Sequence, residues 1–101
     1  MTKRVPPHPG RYISEEMQHL GISLRALARA LAVQPSTIQR VVEGEAAVSP
    51  AMALRLATVI GSTPEMWLRL QERYSLEKAK EEVDFTKLTR LFVQDENRHP
   101  A

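Results

Sequence analysis

The sequence predicts an all-α fold, a small five-helix bundle with a short C-terminal extension, and three observations carry that expectation. Apolar residues recur at helical spacing through most of the chain. Proline follows Gln34, Ser49 and Thr63, where a helix entry is expected, and Gly21, Gly44 and Gly61 close the segments. A proline at the first helical position loses nothing, because the N–H it lacks has no intrahelical partner there. With 43% hydrophobic but only 5% aromatic residues, the core has to come from Leu, Ala, Val, Ile and Met, and 101 residues suit a single core.

Residues 1–9 hold three of the seven prolines and read as an extended lead. The first helix is expected from Gly10, carrying Tyr12, Ile13, Met17 and Leu20, with Gly21 as its stop. Ser23 is an N-cap for a second, Ala-rich helix in which Leu24, Leu27, Ala28 and Leu31 share a face while Arg25 and Arg29 lie elsewhere. The third runs from Pro35 to Glu43, with Ile38, Val41 and Val42 as its apolar side. Ser49-Pro50 opens the fourth, filled by Met52, Leu54, Leu56, Val59 and Ile60. Thr63-Pro64 opens the fifth, which carries Met66, Trp67, Leu68, Leu70, Tyr74 and Leu76 and continues to Glu82 on charge pairs such as Glu77 with Lys80. The expected domain is therefore 10–82. In the extension, 83–101, Leu88, Leu91, Phe92 and Val93 predict a short helix or strand before a disordered polar end.

The absence of cysteine excludes a disulfide framework, a Cys-based zinc site, an iron–sulfur cluster and thiol catalysis. His8, His19 and His99 have no metal-binding spacing, and there is no Gly-rich phosphate loop or nucleophile motif. Glu15-Glu16 and Glu81-Glu82 are neighbours that point in different directions on a helix. The expectation is a protein that is no enzyme and needs no metal or cofactor. No window approaches the roughly 20 apolar residues of a membrane span, which predicts a soluble, cytoplasmic protein. The formal net charge is only +2, but its position is informative. Lys3, Arg4, Arg11, Arg25, Arg29 and Arg40 face four glutamates in the first half, whereas the second half is balanced, so a polyanionic partner is expected to meet the first half.

Helices two and three have the parts of a helix-turn-helix. That motif needs a small residue where the helices cross, a turn of three or four residues, and an apolar anchor that leaves the opposite face free for the major groove. Ala28, then Ala32-Val33-Gln34, then Ile38 with Val41 supply these in order.

The run from "PPHPG" at Pro6 to Gly10, through "SLRALARALAV" and "STIQRVVEG", to "SPAMALRLATVIGSTPEMWLRLQERYSL" ending at Leu76, resembles HigA-type antitoxins of the Xre helix-turn-helix superfamily. The resemblance implies a lambda-repressor-like bundle and a homodimeric repressor that binds double-stranded operator DNA with an inverted repeat. It also implies a cognate HigB-type toxin, an RNase, as partner. Two residues depart from the family pattern. Ala32 stands where glycine is usual, in a turn whose left-handed backbone costs alanine roughly 1 kcal/mol, which predicts a rounder turn. Glu45, Ala46 and Ala47 stand where basic residues often follow the recognition helix.

With the third helix as the reader, the side chains pointing away from its anchor are Gln34, Ser36, Thr37, Gln39 and Arg40. Gln pairs bidentately with adenine and Arg with guanine, while Ser and Thr suit bases or phosphate. The alternative is an ordinary solvated polar face. Ser23, Arg25 and Arg29 are the candidate phosphate contacts, the arginines alternatively serving as solubilising charge. Trp67, Leu70 and Tyr74 are either core or, given the dimer the resemblance implies, a two-fold contact. Residues 1–9 and Leu88–Val93 are the candidate toxin-binding segments. Two rivals remain: a repressor without a toxin, and a helical corner that binds only protein.

Overall fold

The computed structural model describes residues 5–93; Lys3, Arg4 and the polar end from Gln94 to Ala101 lie outside the described residues. These contain five α-helices and no strand: α1 (Pro9–Leu20), α2 (Leu24–Leu31), α3 (Pro35–Val42), α4 (Pro50–Val59) and α5 (Pro64–Glu82). Capping explains where four of them start. Ser23 Oγ accepts from Ala26 N, Ser49 Oγ from Met52 N and Thr63 Oγ1 from Met66 N, each at 3.1 Å, and His8 Nδ1 accepts from Gly10 N at 2.9 Å. Each bond satisfies a first-turn N–H that the helix cannot. At the entry to α3, Gln34 makes no such side-chain bond.

The core is aliphatic: Ile13 from α1, Leu27, Ala28 and Leu31 from α2, Ile38 and Val41 from α3, Val48 from the following loop, Met52, Ala53 and Leu56 from α4, and one aromatic, Trp67. Ala28 and Ala53 are fully buried and let the helices approach closely. Gly10 is a second close-approach point. A Cβ there would clash with the Val41 and Val42 carbonyls, so only glycine lets the first turn of α1 abut the end of α3.

The turn between α2 and α3 is not the rounder one that Ala32 predicts. Ala32 takes the left-handed conformation itself, φ 59° and ψ 43°, and closes α2 with its N–H on Arg29 O and the Val33 N–H on Ala28 O. Those two bonds close the helix, and Ala32 carries the steric cost of an L-residue in that region. The apolar extension also differs from expectation. Beyond α5 the chain forms only a 3-10 turn, Phe85–Lys87, and residues 88–93 are neither helix nor strand. Leu91 and Val93 are 94% and 87% exposed, with no apolar cover among the described residues. No helix among the described residues is long and apolar enough to cross a membrane.

Candidate nucleic-acid interface

On α3, Ile38 and Val41 are buried beneath α1 and α2, which forces the opposite arc outward. At 100° per residue, Ser36, Thr37 and Arg40 share one arc, with Arg40 one turn above Ser36 and Gln39 on its flank. All five candidate readers, Gln34, Ser36, Thr37, Gln39 and Arg40, are exposed. Ser36, Thr37 and Arg40 also meet in space, on the rim of an open recess of about 280 Å³ floored by Val41, Met52, Ala46 and Ala47, with Ser49 beside it. No carboxylate lines it. Gln34 keeps its amide free because it takes no part in capping. Gln39 is committed: its Nε2 donates to Glu43 Oε2 at 3.2 Å in a solvent-exposed bond.

Arg25 and Arg29 lie one turn apart on the exposed side of α2, and neither they nor Arg40 form an ion pair among the described residues. Three uncompensated guanidinium groups on α2 and α3 suit a polyanion. Ser23 Oγ already accepts from Ala26 N, so only its hydroxyl proton remains for a phosphate. The candidate dimer residues are placed differently from one another. Trp67 is 6% exposed in the protomer, with Nε1 donating to Gly61 O at 3.0 Å. Tyr74 meets the His8 ring edge-on, centroids 5.0 Å apart, and Leu70 is half-buried.

Three residues that support this face carry no strong signal in the sequence. Gln71 is buried, accepts from Val48 N at 2.8 Å and donates to Ser75 Oγ at 3.0 Å, fixing the loop after α3 to α5. Arg55 reaches from α4 to the α2–α3 turn, its Nη1 donating to Leu31 O at 2.6 Å and Ala32 O at 3.3 Å. His8 joins the lead, Gly44 and Tyr74, and burial holds its imidazole below the ordinary 6.5; a bond to the Ala46 backbone opposes that shift and the Lys78 cation adds to it.

The helix-turn-helix family HTH_3 matches residues 13–68, more than half of the chain and all of α2, the turn and α3. The chain belongs to that family. Among relatives of this HTH_3 protein, the uncharacterised HTH-type transcriptional regulator YddM of Escherichia coli strain K12 is 48% identical over 88 residues, 87% of this chain and 94% of the relative. Among solved structures, the antitoxin GraA superposes with TM-score 0.82 at 36% identity, covering 88% of this chain and 100% of GraA. GraA is also known in complex with its operator, TM-score 0.76. The antitoxin HigA of Pseudomonas aeruginosa, solved with the higBA promoter, superposes with TM-score 0.75 at 32% identity over 86% of this chain and 99% of that one. The likeness to HigA-type antitoxins read from Pro6 to Leu76 therefore holds for this HTH_3 protein in sequence and in fold.

Proposed function

We propose that this HTH_3 protein is an antitoxin that represses its own toxin–antitoxin operon, reading the operator through α3 and binding the cognate HigB-type RNase toxin. One observation carries the DNA half: α3 presents Ser36, Thr37 and Arg40 together around a recess free of carboxylates, while Arg25 and Arg29 on α2 make no ion pair among the described residues. In this reading Gln34, Gln39 and Arg40 contact base edges, Ser36 and Thr37 contact bases or adjacent phosphate, and Ser23, Arg25 and Arg29 hold the backbone. The operator complexes of GraA and HigA support it.

A two-fold operator calls for a dimer whose reading helices lie about 34 Å apart. We place the contact on Leu54 of α4 and Met66 of α5, 60% and 40% exposed, with Leu70 one turn beyond Met66. Trp67 acts behind that surface. The toxin docks on the lead, residues 1–9, or on Leu88–Val93, whose apolar side chains have no cover among the described residues. A repressor without a toxin is the second reading, favoured by the name of YddM.

A gel shift of the upstream promoter fragment tests the DNA half. Wild type should retard it at low salt, and Arg40→Ala should lose roughly 1–3 kcal/mol of specific binding while retaining non-specific binding. No retardation by the wild type sinks the reading. Co-expression with the neighbouring gene separates the two versions, since an antitoxin rescues growth and co-purifies with its product whereas a plain repressor does neither.

A further inference from the structure

We propose that Arg55 is a positioning residue for DNA reading, holding the left-handed turn that aims α3. The proposal rests on α3 being the reading helix, and its evidence lies away from the DNA-facing side chains. The last carbonyls of a helix have no intrahelical donor. In α2, Ala28 O and Arg29 O are satisfied by the Val33 and Ala32 N–H groups at 3.0 and 3.1 Å. The carbonyls of Leu31 and Ala32 are met instead by the Arg55 guanidinium, 24 and 23 residues further on.

Those two carbonyls are the ones whose direction sets how the chain leaves α2. Ala32 stands at φ 59°, a conformation that alanine abandons readily and glycine holds at no steric cost. A third helix thus supplies what the residue type does not. The anchor of α4 is independent of this contact, because Met52, Ala53 and Leu56 are buried while Arg55 itself is exposed. Removing the guanidinium therefore leaves the bundle standing and lets the turn relax. The entry of α3, with Gln34, Ser36 and Thr37, then loses its fixed aim. Phosphate attraction by Arg25 and Arg29 tolerates such a swing; bidentate base contacts do not.

The test compares wild type, Arg55→Met, Arg55→Lys, Ala32→Gly and the Arg55→Met/Ala32→Gly pair. Affinity is measured for the operator and for an unrelated duplex of equal length, beside thermal melts and amide exchange at Ala32 and Val33 without DNA. Arg55→Met should weaken operator binding about tenfold and change unrelated-duplex binding less than about twofold, with faster exchange at Val33. Adding Ala32→Gly should restore operator binding to within about threefold of wild type, because glycine needs no external hold. Arg55→Lys should fall between, since an ammonium is a point donor in place of a planar fork. Equal loss on both duplexes would make Arg55 a phosphate ligand and overturn the proposal. So would unchanged operator binding, unchanged exchange, or a pair no better than Arg55→Met alone. A wild type that binds both duplexes equally overturns the DNA reading itself, a result distinct from a silent Arg55.

Discussion

Ala32 is an L-residue held at φ 59° between two helices, and the strain it carries is released by removing one methyl group. Ala32→Gly should therefore raise stability by up to about 1 kcal/mol, the left-handed penalty less the greater freedom of glycine in the unfolded chain. Urea melts at neutral pH check this, and a lower midpoint would show that the Ala32 methyl makes a contact worth more than the strain. Gly10 is the opposite case. Its missing Cβ is the space occupied by the Val41 and Val42 carbonyls, so Gly10→Ala forces α1 away from α3 and should cost about 1–3 kcal/mol, as overpacking does. The same melts read it.

In the proposed function the helices divide the labour between reading and holding. Arg25 and Arg29 on α2 are there the contacts independent of base sequence, so replacing either by Gln should lower the slope of log affinity against log salt by about 0.9 without changing which sequence is preferred. A slope that stays constant across both variants would leave these arginines as plain surface charge. How α4 and α5 begin was legible from the sequence, because a cap and a proline act within three residues of one another, as at Ser49-Pro50 and Met52, whereas the His8 cap that starts α1 at Pro9 was not. The outward arc of α3 was legible for the same reason, since Ile38 and Val41 fix its inner side. What holds the arc in place was not. Arg55 and Gln71 find their partners 24 and 23 residues away, and no local pattern says which backbone group a distant helix will reach. Trp67 was ambiguous because a lone aromatic at helical spacing looks alike whether it faces its own core or a second chain. Gln71→Leu tests the holding role: with its partner gone, the buried Val48 N–H should cost about 1–3 kcal/mol in urea melts.

Across the molecule, His8 touches segments far apart in the chain, Gly44 and Tyr74, and it caps α1 only when neutral. A protonated imidazole has two donors and no acceptor, so the bond from Gly10 N is lost. Burial lowers the folded-state pKa below the ordinary 6.5, and the unfolded chain binds the proton more readily. Stability is then complete above that value and declines as pH falls through the folded-state pKa, where Lys78, Glu45 and Glu82 are the charged neighbours in the same recess. Urea midpoints at pH 7.5 and below 6 should show a loss that His8→Asn, which keeps a capping acceptor, does not share.

The abutment of Gly10 on the end of α3 has one more consequence. Because the first turn of α1 and α3, the proposed reading helix, touch backbone to backbone, a protein that docks on residues 5–9 and shifts that turn also shifts α3. By thermodynamic linkage, such a partner changes operator affinity by the same factor by which the operator changes the partner's affinity. The lead and the reading helix are then two ends of one lever, and measuring the coupling from either end must return the same number.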